Sequence, residues 1–136
     1  MVKRIAHIGI AVESLDESIK VFEKILGIKS SGIEEVPGQN VKVAFIPVGE
    51  TYIELLEGTT PDNPISKFLA TRGSGVHHLA FEVQDLATDL ERLKNADIKL
   101  VDQEPQRGAH GTKVAFLHPK ATQGVLCELV ETPKRT

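Results

Sequence analysis

The chain has 136 residues, 40% of them hydrophobic and 26% charged, the composition of an ordinary globular domain long enough to bury a core. A net charge of −3 and a pI near 5.9 give no electrostatic case for nucleic acid or an anionic membrane, so neither is expected as a partner. One cysteine excludes an intramolecular disulfide, and with no apolar run of signal-peptide or membrane-spanning length the expectation is a cytoplasmic protein, or a mature one whose targeting segment lies outside this sequence.

Residues 4–12 are β-rich, and alternation puts Ile8, Ile10 and Val12 on a packed face with His7, Gly9 and Ala11 on the other. Ser14 followed by Glu17 is a capping box, after which Leu15, Ile19, Phe22 and Leu26 recur at helical spacing until Gly27 closes the helix. Three β-like runs follow, at about 28–36, 41–48 and 51–57, broken by Pro37-Gly38 and Gly49-Glu50. Residues 58–75 hold two prolines and three threonines and read as a linker carrying one short helix after Pro64. The second half repeats the order: a strand at 76–83, a helix from Asp85 with Leu86, Leu90 and Leu93 on one face, and strands near 98–102, 112–117 and 124–131. Cys127, between Leu126 and Glu128 in an apolar run, reads as a packed thiol.

The halves are copies of one another. His7 and His78 lie 71 residues apart, and the same offset sets Ile10 on Phe81, Val12 on Val83 and Lys42-Val43-Ala44-Phe45 on Lys113-Val114-Ala115-Phe116. Three extra residues within 118–123 move the offset to 74, which sets Ile53-Glu54-Leu55 on Cys127-Glu128-Leu129. The expected fold is α+β: two βαβββ repeats of a single domain, about 4–57 and 76–131, pairing around a metal-binding cleft.

Each repeat therefore opens with a histidine in an apolar strand and closes with a glutamate in another. One such glutamate alone would more often face solvent from a half-exposed strand. A buried carboxylate needs a partner or a metal, however, and two imidazoles with two carboxylates at matching places read as a metal site of His7, Glu54, His78 and Glu128. Only one of His77 and His78 can face the cleft; the repeat selects His78 and leaves His77 packed. His110, in Gly-Ala-His-Gly, sits in a loop that either closes over a ligand or lies at the surface, and His118 before Pro119 reads as structural. Lys42, Arg107, Lys113 and Lys120 gather around the third strand of each repeat, and the Lys42–Lys113 match raises an anion-binding role.

The runs His7-Ile8-Gly9-Ile10-Ala11-Val12, Gly75-Val76-His77-His78-Leu79-Ala80, Gly108-Ala109-His110-Gly111, Phe116-Leu117-His118-Pro119-Lys120 and Gly124-Val125-Leu126-Cys127-Glu128-Leu129 resemble the vicinal oxygen chelate superfamily and, within it, the methylmalonyl-CoA epimerases. The resemblance implies one divalent metal, cobalt foremost with manganese, nickel, zinc or iron also suited, held by His7, Glu54, His78 and Glu128, with Glu54 standing where some relatives carry glutamine. It also implies an acyl-CoA substrate, inversion of its α-carbon by proton abstraction through an enolate, and a homodimer. Glu128 is then the acid–base group. A second glutamate on the third strand of some bacterial relatives appears here as Lys42, which leaves Lys42, His110 or a metal-bound water as the candidate partner. Lys120, Arg107 and Lys113 are candidates for contacts to the substrate, including the coenzyme A phosphates. Two competing readings share the scaffold: a glyoxalase I-type lyase with the same ligands, and a metal-free binding or resistance protein that would have no need of both glutamates. An extradiol dioxygenase would use two histidines and one carboxylate, and the fourth ligand argues against it.

Overall fold

In the computed structural model, which describes residues 2–36 and 38–134, the βαβββ order occurs twice. The first copy is β1 (Val2–Ala11), α1 (Leu15–Leu26), β2 (Gly32–Val36), β3 (Val41–Val48) and β4 (Thr51–Gly58). The second is β5 (Gly75–Val83), α3 (Leu86–Asn95), β6 (Gln106–Arg107), β7 (Lys113–Leu117) and β8 (Cys127–Glu131), with α2 (Pro64–Arg72) between them. Pro37, expected at a turn, lies outside the described residues. The chain is thus α+β, and it divides into two compact units, His7–His77 and the residues through Ala6 together with those from His78 onward.

In the His7–His77 unit the strand order is β2-β3-β4-β1, with β1 parallel to β4 and the other pairs antiparallel. One face is covered by α1: Leu15, Ile19 and Phe22 pack with Val12, Ala44, Ile46 and Leu55. The strand expected from residue 28 begins only at Gly32, because the Ser30 N–H donates 2.7 Å to the Glu23 side chain while Ile28 turns into this core. Pro64 opens α2 behind an Asn63 cap, as its position predicts.

The other unit has the order β5-β8-β7-β6, with β5 parallel to β8. Leu86 and Leu90 of α3 pack with Val83, Ala115, Leu117, Cys127 and Leu129, so the thiol is a core group. On the opposite side of the strands Ala6, Ala80, Val114 and Val130 form a smaller cluster. The strand expected at 98–102 is reduced to a single bridge from Leu100 to Leu117. Asp102 is the reason: its carboxylate accepts the Phe116 N–H at 2.8 Å, and the Val101 and Asp102 N–H groups both donate to the Phe116 carbonyl. One residue of β7 therefore absorbs the hydrogen bonds that a continuing strand would have shared. The strand expected from Gly124 starts at Cys127, since Gln123 and Gly124 form a turn with φ of 59° and 92°.

The two repeat helices start alike. Ser14 and Asp85 accept the Glu17 and Thr88 N–H groups as N-caps. A glutamate from the last strand of each repeat then accepts the first helical N–H: Glu57 from Leu15 at 3.0 Å and Glu131 from Leu86 at 2.9 Å. Negative charge at a helix N-terminus is favoured by the exposed N–H groups and the helix dipole.

Glu82 is a buried carboxylate, 7% exposed, bound by Arg4 Nε at 2.9 Å and by the Thr132 hydroxyl at 2.9 Å. The Arg4 hydrogen bond holds its carboxyl below the ordinary range against the opposing effect of desolvation. Because the folded-state pKa is depressed, this contribution is complete above the unfolded value of about 4.3 and is lost as pH falls through the folded value. Glu82→Gln is therefore expected to cost roughly 1–3 kcal/mol in denaturant melts at neutral pH, with the difference from the parent chain shrinking on acidification below about pH 4. A difference that stays constant from neutral pH to pH 3 would count against this role.

Candidate functional site

In the His7–His77 unit, β1 and β4 run parallel with Gly9 directly beside Glu54. Glycine there leaves space above it, and His7, two residues earlier and on the same face, reaches across: its Nδ1 lies 3.0 Å from Glu54 Oε2. His7 is 8% exposed and better buried than Ile8 or Ile10, so the face expected to point away from packing is the more enclosed one. Phe45, opposite Glu54, meets Tyr52 edge-on at 6.2 Å between ring centroids and forms an aromatic wall on this face. Sequence reading missed Tyr52; its place opposite His7 is visible only once the β1–β4 register is known.

The other unit repeats the arrangement. Ala80 lies beside Glu128 on the parallel pair β5–β8, and His78, two residues earlier, places Nε2 3.4 Å from Glu128 Oε1. Both side chains are buried, and Phe116 stands edge-on to the His78 ring at 5.4 Å. His77 points to the other face by alternation and packs edge-on against Phe68 at 5.1 Å. Each unit thus holds one imidazole nitrogen beside one carboxylate, donor types that suit a divalent ion of the Mn to Zn series.

Strand parity corrects one expectation. Lys42 shares the α1-covered face with Ala44 and Ile46, the face opposite to His7 and Glu54. There it stands across from Glu57 on one side and Glu35 on the other, lining a shallow pocket with Leu15, Asp16 and Ile33. A lysine turned to the helix side cannot exchange protons with a ligand held by His7 and Glu54, so Lys42 is not the second acid–base group. Lys113 sits likewise on the α3-covered face opposite Glu131, with Nζ 3.9 Å from Glu131 Oε2, and the Lys42–Lys113 match is a match of lysines that stand across from a helix-capping glutamate.

The remaining candidates are loop residues. His110 is exposed in a 3-10 turn over Ala109–Gly111 with φ of 55°, and Arg107 is exposed in the two-residue β6. Gly108 before that turn has a packing reason: an added Cβ would come within 2.5 Å of the Thr112 hydroxyl and 2.7 Å of Val114. His118 caps the turn at Pro119–Thr122 by accepting the Lys120 N–H at 3.1 Å, which is a structural task. Desolvation, then Lys99 and Lys120, push its imidazole below the ordinary value. Lys120 itself is exposed.

A family model described as the Glyoxalase/Bleomycin resistance protein/Dioxygenase superfamily matches residues 6–116. The chain is 41% identical to the uncharacterised protein YqjC of Bacillus subtilis over 94% of this chain and 91% of that one. It is 37% identical to the ethylmalonyl-CoA/methylmalonyl-CoA epimerase of Cereibacter sphaeroides, covering 95% and 98%. Among solved structures, a variant of the Streptomyces coelicolor methylmalonyl-CoA epimerase in complex with 2-nitronate-propionyl-CoA superposes with a TM-score of 0.93 at 36% identity, covering 97% of this chain and 96% of that one. The chain belongs to the methylmalonyl-CoA epimerase family of this superfamily. In this family member the repeated imidazole–carboxylate pairs lie on one face of their strands, and Lys42 and Lys113, each across from a glutamate, lie on the other.

That separation of faces gives a direct expectation for two substitutions. Lys42→Ala should lower the melting temperature slightly and leave the content of bound divalent metal unchanged, and His77→Asn should likewise retain metal. Loss of metal from either variant, measured by elemental analysis after purification, would mean that the faces are assigned wrongly.

Proposed function

We propose that this chain is a metal-dependent methylmalonyl-CoA epimerase that interconverts the (2R) and (2S) forms of its substrate. Full-length similarity to epimerases at 36–37% identity carries the reading, and the paired histidines and glutamates supply the chemistry it needs. In this proposal His7, Glu54, His78 and Glu128 together hold one divalent ion, cobalt being the first choice, and the working protein is a cytoplasmic homodimer. A bound dication supplies Lewis acidity at the carbonyl next to the reacting carbon.

The residues divide the work. His7 and His78 present neutral nitrogens and Glu54 and Glu128 negative oxygens, so the set carries two negative charges to balance a dication. Burial of both histidines and of Glu128 excludes water, which strengthens each charge interaction there. Glu128 takes the α-proton, which is acidified by the flanking thioester; the C–H electron pair passes into the carbonyl as an O–H bond forms on Glu128. Delivery of a proton to the opposite face completes inversion. Lys120 and Arg107, both exposed cations, and His110 in its turn are the groups proposed to meet the coenzyme A portion.

Incubation of the metal-loaded protein with a single epimer of methylmalonyl-CoA in deuterated water tests this. Deuterium should enter the α-carbon and the centre should invert, with Glu128→Gln slowing both by about 10²–10⁴-fold and His78→Ala losing metal and activity together. Failure of exchange in the metal-replete protein would move the chain to another activity of the superfamily, and tight metal retention in His78→Ala would break the ligand assignment.

A further inference from the structure

In the unit from His78 onward, the bridge between Leu100 and Leu117 sets Lys99 across from His118 and Val101 across from Phe116. Backbone hydrogen bonds hold this register: the His118 N–H donates to the Lys99 carbonyl at 3.1 Å, and the Val101 N–H to the Phe116 carbonyl at 3.0 Å. Leu100 and Leu117 turn into the α3-covered core. By alternation Lys99, Val101, Phe116 and His118 take the opposite face, the one on which Phe116 stands across from Glu128 and meets the His78 ring. Val101 is apolar yet 52% exposed there. The segment bearing Lys99 lies beyond β7, three strand spacings from β5 and His78, or about 15 Å.

His118 is prepared as a donor on this face. Its Nδ1 accepts the Lys120 N–H at 3.1 Å, so the proton of the neutral ring resides on Nε2. Desolvation, followed by the charges of Lys99 and Lys120, disfavours a second proton on that ring. Among the described residues, the ammonium groups of Lys99 and Lys120 and the His118 Nε2 have no ion-pair or hydrogen-bond partner. Two cations that repel each other across a neutral N–H donor gain from an anion placed among them. A phosphate, with several acceptor oxygens and up to two charges, meets all three groups at once.

We infer that Lys99, Lys120 and the His118 Nε2–H form a phosphate subsite for the coenzyme A portion of the substrate, with Val101 and Phe116 supporting the pantetheine arm between that subsite and His78; this rests on the epimerase reading above. An extended pantetheine arm is long enough to cross the strands from His78 to Lys99. The same turn that holds the His118 ring by its Nδ1 therefore also aims its Nε2–H.

The test titrates the metal-loaded full chain with coenzyme A and, separately, with pantetheine, which lacks every phosphate, by calorimetry. The parent should bind coenzyme A about 10-fold or more tightly than pantetheine at low salt, with the gap narrowing as salt is added. Lys99→Ala and His118→Asn should each weaken coenzyme A by about fivefold or more and leave pantetheine affinity as it was, while Lys99→Arg restores most of the loss. Asparagine keeps a side-chain acceptor for the Lys120 N–H, so the His118 variant retains its turn, which its melting temperature checks. Equal affinity of the parent for the two ligands, equal weakening of both in the variants, or unchanged coenzyme A affinity in Lys99→Ala would overturn the subsite. A parent chain that exchanges the α-proton of methylmalonyl-CoA but shows no phosphate-dependent difference would remove the subsite alone. One that neither exchanges that proton nor binds coenzyme A would remove the epimerase reading together with it.

Discussion

A small residue beside a glutamate on a parallel strand pair is what the candidate site depends on. Gly9 next to Glu54 and Ala80 next to Glu128 leave the space into which a histidine two residues earlier can lean, at 3.0 Å in one unit and 3.4 Å in the other. Burying those groups is costly unless they meet each other or a cation, so the pairing is also what permits them to be buried.

The same strands carry a second task on their other face. Glu57 and Glu131, three residues beyond the site glutamates, point to the helices and accept the first N–H of α1 and α3. Lys42 and Lys113 face them across the neighbouring strands. Because side chains alternate with a period of two, spacing by an odd number separates the roles: Glu54 and Glu57 cannot share a face, nor can Glu128 and Glu131. A register slip of one residue would exchange the glutamate paired with histidine and the one that caps the helix, which ties the imidazole–carboxylate pairs to helix packing.

Much of this was legible in the sequence because the chain repeats. The offset of 71 residues singled out His78 over His77, and the shift to 74 found Glu128 from Glu54. The same shift relates Glu57 to Glu131, a match whose purpose no single-sequence pattern announces. Lys42 shows the limit: the offset identifies equivalent positions but not the face each occupies, and that follows from register between strands distant in sequence. Residues 98–102 failed as a strand for a tertiary reason, since Asp102 folds onto the Phe116 backbone.

The central proposal is that His7 and His78 are both ligands of a single ion. X-ray absorption of the protein carrying one equivalent of Co²⁺ should give a scattering pattern with two imidazole ligands, falling to one in His7→Ala and, separately, in His78→Ala. A spectrum with a single imidazole in the parent chain, or one that neither substitution changes, would contradict a metal site built from both halves of the repeat.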